Sequence, residues 1–210
     1  RTPLSNLRLK LEAIQLQSQV DDRTYAQLGD AIAGADSIIN TFNALLRISK
    51  IEAGKHSEKF KRLDLSALLD DVLELYSPLA EDKHQQLVIR TDSVIQIIGD
   101  RDLLFQAISN LLDNAIKYTP ENGQIDICLI QTETALSLSV CDSGPGVPES
   151  ELGQLSRRYY RLDASRSLPG NGLGLSLVDA ITKAHKAQLI FAANKDADTG
   201  LCASIAFPPE

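Results

Sequence analysis

Seven small or apolar side chains, Leu28, Ile32, Ala35, Ile39, Phe42, Leu46 and Ser49, recur at alternating spacings of four and three. That rhythm averages 3.5 residues per turn and confines the apolar surface of a helix to one narrow seam. Such a seam is buried only against a partner helix. Leu4, Leu7, Leu11 and Ile14 carry the same spacing upstream, and the polar stretch 17–24, with Asp21 and Asp22, supplies a turn. The reading is an antiparallel helical hairpin over residues 4–52. Two helices do not close a core by themselves. Either a second copy completes a four-helix bundle in a homodimer, which is the expectation here, or the hairpin packs on the chain's own C-terminal part.

Gly54 follows the last periodic residues and ends the second helix, and the polar run 55–61 reads as a linker. The pattern then changes to mixed α and β. Helices are expected over 65–79, with Ser66 near the start and Pro78 near the end, over 100–118 and over 173–185. Short strands are expected over 87–90 and 94–98. A hairpin is expected over 124–132 and 135–141, with strands 189–192 and 202–207 completing the sheet. The segment 143–172, rich in Gly, Pro, Ser and charge, is too long for a simple connector and is a candidate functional loop. The division is residues 1–54 as a dimerisation hairpin and 55–210 as a second domain, in the α+β class.

An apolar fraction of 43% is enough for a core. A net charge of −7 argues against a nucleic-acid backbone as partner. Cys128, Cys141 and Cys202 form no CxxC pair; Cys128 and Cys141 sit in apolar runs, and all three are expected as reduced thiols. No apolar run reaches the roughly 20 residues of a spanning helix, and no signal peptide is recognisable. The chain has no methionine and begins at Arg1, which reads as a fragment.

Three clusters carry chemistry. Asn110, Asn114 and Lys117 share one face of an otherwise apolar helix. Amide oxygens suit Mg²⁺, and an ammonium suits phosphate oxygens; alternatively the three groups cap neighbouring backbone. In the run 141–148, Asp142 closes a strand and Gly144 and Gly146 follow. Such a turn lets backbone approach a flat ligand, and the carboxylate can accept an exocyclic amine such as adenine's. A plain β-turn explains the same residues. Gly170, Gly172 and Gly174 lead into a helix, where free amides and the positive dipole end attract anions. The spacing is GxGxG without a preceding strand, which disfavours a Rossmann reading.

Taken in order, NLLDNAIKYT (110–119), DSGPGVP (142–148) and GNGLGLSLV (170–178) resemble the N, G1 and G2 boxes of bacterial sensor histidine kinases. RTPLSNLRLKLEAI (1–14) resembles the second half of their H box. The resemblance covers 60–208 and implies a two-layer α/β sandwich of the gyrase, Hsp90 and histidine-kinase ATPase type. It implies that Asn110 and Asn114 hold Mg²⁺ with ATP, that Lys117 meets phosphate and that Tyr118 lies against the nucleotide. Asp142 would receive the adenine amino group in a pocket shaped by Gly144 and Gly146. The loop 149–172 would be a lid, with Arg161 and Arg166 on phosphates. Gly170, Gly172, Leu173 and Gly174 would complete the ATP site.

The family's phosphoacceptor histidine falls before Arg1. His56, His84 and His185 stand elsewhere and are read as surface or structural. Thr2 matches the position associated with dephosphorylating the partner, a response-regulator receiver domain. The resemblance places the chain on the cytoplasmic side of an inner-membrane protein whose spanning region lies upstream. Two departures stand out: Ser156 replaces the first Phe of the lid's FERFYR pattern, and Lys186-Ala187 replace Gly-Gly after His185. Gyrase- and Hsp90-type ATPases carry a glutamate base where this chain has Asn110, which disfavours hydrolysis to water. A serine kinase acting on anti-sigma partners would lack the hairpin, and a non-catalytic dimerisation module would not need all three boxes.

Overall fold

The computed structural model describes residues 2–15, 21–54, 59–91, 94–162, 170–195, 197 and 199–208. His56 and Arg166 lie outside the described residues. Two helices open the chain, α1 (Thr2–Gln15) and α2 (Asp22–Glu52). Asp21 sets the start of α2, its carboxylate accepting the Thr24 amide at 2.7 Å, so the turn ends before residue 24. Arg8 stands 2.9 Å from Asp36 across the pair. Gly54 ends α2 in the left-handed conformation, φ +70°, donating to the Ile51 carbonyl at 3.0 Å.

The seam is only partly covered within this chain. Ala35 is buried, while Leu7, Ile14, Phe42 and Leu46 remain between 40% and 48% exposed. The last two turns of α2 behave differently. Ile48 and Ile51 are buried in the same core as the rest of the chain, and α2 packs along α6 (Gly174–Ala184), the helix that follows the short α5 (Glu149–Leu152). The end of α2 therefore rests on the C-terminal part through Ile48 and Ile51, neither of which belongs to the seam.

The remainder forms a two-layer α/β sandwich. A five-stranded sheet in the order β2-β4-β5-β7-β6 comprises β2 (Gln86–Thr91), β4 (Gln124–Gln131), β5 (Leu136–Asp142), β7 (Leu201–Phe207) and β6 (Gln188–Ala193). Only β2 and β4 run parallel. A short antiparallel ladder joins β1 (Lys61–Asp64) to β3 (Gln96–Gly99). Alternation sorts the sheet: Ile125, Ile127 and Leu129 of β4, and Leu136, Leu138 and Val140 of β5, are buried on one face. Onto them pack α3 (Leu65–Glu81), α4 (Arg101–Tyr118) and α6. Leu104, Ala107, Ile108, Leu111 and Leu112 of α4 are at most 2% exposed, and burial stabilises by about 1.5–3 kcal/mol per large aliphatic side chain.

Several expectations are corrected. Residue 61 begins a strand rather than ending a linker. Asp64 caps α3 by accepting the Ala67 amide at 3.1 Å, and the Ser66 hydroxyl accepts from the Ile95 amide at 3.1 Å. Pro78 lies inside α3, which runs on to Glu81. Of the three expected reduced thiols, only Cys128 is free. Cys141 stands opposite Cys202 in the β5–β7 ladder, and the two form a disulfide with Cα atoms 4.0 Å apart. Sheet register brings together two residues 61 apart in sequence. All three cysteines are half-buried.

Candidate functional site

The polar face of α4 is built by the helix's own period. Asp100 caps its start, accepting the Asp102 and Leu103 amides at 3.0 and 3.2 Å. Asn110, Asn114, Lys117 and Tyr118 are all half-buried. The Asn110 amide nitrogen donates to the Gln106 carbonyl at 2.7 Å, which leaves Oδ1 turned away from its own helix. A Cβ on Gly174 would stand 3.1 Å from that oxygen and 3.8 Å from the Asn114 amide. The glycine is thus what lets the N-terminus of α6 close onto the two asparagines. Leu173, 1% exposed, anchors that terminus in the core.

One turn further along α4, the Lys117 ammonium lies 4.9 Å from the Tyr118 ring centroid. A Cβ on Gly170, whose φ is +144°, would meet the same ammonium at 2.9 Å. Arg161 donates to the Gly170 carbonyl at 2.6 Å. Two cations and the glycine-rich segment therefore share one corner. At the end of α4 the third cluster arrives: a Cβ on Gly144 would stand 2.8 Å from both the Tyr118 carbonyl and Asp142 Oδ1.

Asp142 is 7% exposed. Its Oδ1 accepts the Gly144 amide at 2.8 Å and the Leu201 amide at 3.3 Å. Burial pushes its carboxyl above the usual range, with those two amides pulling the other way. The Asn194 side chain donates to its backbone carbonyl at 2.9 Å. Asn194 and Leu201 escape sequence reasoning because their contacts span 52 and 59 residues. Gln85, which caps the Ile116 and Thr119 carbonyls at 3.0 and 2.7 Å, is missed for the same reason.

The remaining expected residues divide. Gly146 packs on Gly200, and Gly172 lies against the backbone of Tyr159 and Tyr160. Tyr159 takes a left-handed φ of 64° and donates its amide to the Gly172 carbonyl at 2.9 Å. Asn171 reaches out of the loop to α2, donating to the Thr41 hydroxyl at 3.0 Å. A buried Leu155 stands one residue ahead of Ser156, supplying an apolar anchor beside the position for which the resemblance implies Phe. Thr2 starts α1, its side chain being outside those described. Among the histidines, His84 is exposed and His185 is buried and structural. An open cleft of about 770 Å³, lined by Arg47, Tyr76, Phe105, Ser109 and Asp113, lies between α2, α3 and α4 and shares Gln106 and Asn110 with this site.

A mixed sheet covered on one face by three helices, with a glycine-rich segment folded onto a polar helix face, defines an ATPase-type sandwich. Residues 99–210, more than half of the chain, match the family described as histidine kinase-, DNA gyrase B-, and HSP90-like ATPase. The chain belongs to that family, and within it groups with bacterial sensor histidine kinases. It is 33% identical over 197 residues to the adaptive-response sensory kinase SasA of Rippkaea orientalis, covering 90% of this chain and 50% of that protein. To the sensor protein BasS of Salmonella typhimurium it is 33% identical over 204 residues, covering 95% and 54%. The chain spans about half the length of these relatives. The solved structure of the mycobacterial sensor histidine kinase MprB superposes with a TM-score of 0.63 at 29% identity, over 71% of this chain and 97% of that one.

Proposed function

We propose that residues 55–210 bind Mg²⁺-ATP and that the intact protein is a sensor histidine kinase of a two-component system. The observation that carries this reading is the seating of Gly174 against Asn110 and of Gly170 against Lys117, which joins an anion-binding segment to an amide face. Oδ1 of Asn110, freed by the bond to Gln106, and the side-chain oxygen of Asn114 fit a hard cation. Magnesium there would neutralise phosphate charge. Lys117, Arg161 and Arg166 would meet phosphate oxygens, alongside the amides of Gly170, Gly172, Leu173 and Gly174. Asp142 would accept the adenine amino group, Gly144 and Gly146 would let the base approach, and Tyr118 would lie against the nucleotide.

In the intact protein the γ-phosphoryl group would pass to a histidine ahead of Arg1 and then to an aspartate of a response-regulator receiver domain. Thr2 would serve the reverse step, dephosphorylation of that regulator. The exposed Leu7, Phe42 and Leu46 support pairing of residues 1–54 with a second copy as a four-helix bundle. The chain would sit on the cytoplasmic side of a membrane protein.

Titrating the chain with a non-hydrolysable ATP analogue, with and without Mg²⁺, tests the reading. Magnesium-dependent binding is expected, and Asn114→Ala should lose that dependence while remaining folded. No binding at millimolar nucleotide would remove the kinase reading and leave a dimerisation module.

A further inference from the structure

The sheet carries a second reactive feature, on the face away from the helices. Cys128, Cys141 and Cys202 are all half-buried rather than enclosed in the core. Cys128 lies two residues along β4 from Asp126, the register partner of Cys141, so all three point to the same open face. Cys141 and Cys202 are directly opposed and bridged. The bridge stands at a particular place in the ladder. Cys141 immediately precedes Asp142, and Cys202 immediately follows Leu201, whose amide holds the Asp142 carboxylate at 3.3 Å. On the same side Gly200 is so close that a Cβ would fall 1.8 Å from the Asp142 carbonyl.

We propose that Cys141 and Cys202 form a reversible redox site that controls how firmly Asp142 is held, and through it the affinity for an adenine nucleotide. The effect on affinity rests on the reading of Asp142 as the adenine acceptor. With the bridge closed, the ends of β5 and β7 are tied at the residues adjoining Asp142 and Leu201. With it open, they are held by hydrogen bonds alone: the ladder, the Leu201 amide on the Asp142 carboxylate and the Asn194 side chain on the Asp142 carbonyl. In a cytoplasmic setting a disulfide is transient rather than permanent, and half-burial leaves both sulfurs within reach of small thiols. The co-reactant is a low-molecular-weight disulfide. The Cys141 thiolate attacks one of its sulfurs and releases one thiol. The Cys202 thiolate then attacks Cys141 Sγ in the mixed disulfide and releases the second thiol. Two electrons and two protons leave the protein and are carried off by the two thiols released. Cys128 has no bridge and serves as an internal control.

The test equilibrates the chain in reduced or oxidised glutathione. Free thiols are counted after denaturation, exchange of the Leu201 amide is followed, and the Mg²⁺ complex of a non-hydrolysable ATP analogue is titrated. One free thiol is expected in the oxidised chain and three in the reduced chain. Leu201 should exchange faster on reduction, and nucleotide affinity should fall about fivefold, the effect of losing one hydrogen bond of about 1 kcal/mol. Cys202→Ser should bind like reduced wild type in both buffers, and Cys128→Ser should keep the full redox response. Three thiols in every buffer, or an unchanged Leu201 amide, overturns the redox site. Binding of equal strength in both states overturns the coupling to nucleotide. If nucleotide binds in neither state, the ATP reading fails, while the thiol count and Leu201 exchange still decide the redox site.

Discussion

The imidazole Nε2 of His185, at the end of α6, accepts the backbone amide of Asp100 at 3.0 Å, while Nδ1 stands 2.8 Å from the Ile181 carbonyl. The ring is therefore neutral, with its proton on Nδ1. Phe60 packs against it with centroids 4.6 Å apart, and Gly99 leaves the space that the ring fills. One side chain thus joins the end of α6 to the cap of α4, the helix that carries the amide face.

That contact predicts a pH dependence. Burial holds the His185 pKa below its ordinary value of 6.5, with the Ile181 carbonyl and Asp100 opposing. The folded state favours the neutral ring, so its contribution is complete above pH 6.5 and is lost as pH falls through the depressed folded value. Urea midpoints should decline between pH 7.5 and pH 5.5 for the wild type. His185→Ala should flatten that decline and cost about 2–3 kcal/mol at pH 7.5, from the orphaned Asp100 amide and lost packing. An equally steep decline in the variant would assign the dependence to other groups.

Directly after His185, Lys186 adopts φ 56°, so a lysine performs a left-handed turn for which the resemblance implies glycine. A side chain there costs on the order of 1 kcal/mol. Lys186→Gly should raise the melting temperature by about 2–4 °C. Ala187→Gly, which deletes a methyl 6% exposed, should lower it. A fall for Lys186→Gly would show that the strain is relieved elsewhere.

The elements legible in the sequence were those with a local cause. The α4 helix declared itself through its apolar period, the β4–β5 hairpin through alternation, and the end of α2 through Gly54. The face of Asn110, Asn114 and Lys117 followed from helical geometry. What stayed hidden depends on contacts distant in sequence. The four residues of β1, KRLD, have no alternation to betray a strand, and they become one only by pairing with β3. Asp64 caps α3 while the neighbouring Ser66 hydroxyl goes to the Ile95 amide, 29 residues away, a partner that no local pattern announces. The Cys141–Cys202 bridge needs the β5–β7 register, which no spacing reveals.

Gly174 separates the fold from the site. A helical glycine normally gains about 1 kcal/mol when changed to alanine, but here the new Cβ would crowd Asn110 Oδ1 at 3.1 Å. Gly174→Ala should therefore leave the melting temperature within a few degrees of wild type. Nucleotide affinity should fall by about tenfold or more, as expected for about 1.4 kcal/mol of displaced contacts. Calorimetry of unfolding and of binding on one sample distinguishes these effects, and unchanged affinity would separate Gly174 from the nucleotide.

The bond from Asn171 to Thr41 connects the glycine-rich segment to α2 across 130 residues of sequence. The same asparagine also braces its own loop, Oδ1 accepting the Leu173 amide at 3.2 Å, so one side chain answers to both the hairpin and the start of α6. Arg158, which pairs with Glu52 at 2.5 Å, makes a parallel connection, but as an exposed ion pair it contributes little. If the Asn171–Thr41 bond carries the coupling, then Thr41→Val and Asn171→Ala should be non-additive in a double-mutant cycle of unfolding free energies. The expected interaction is about 0.5–1.5 kcal/mol. Arg158→Ala combined with Glu52→Ala should give an interaction of about 0.5 kcal/mol or less, shrinking further in high salt. Strict additivity at Thr41 and Asn171 would mean that this bond adds nothing measurable to the seating of the glycine-rich segment on α2.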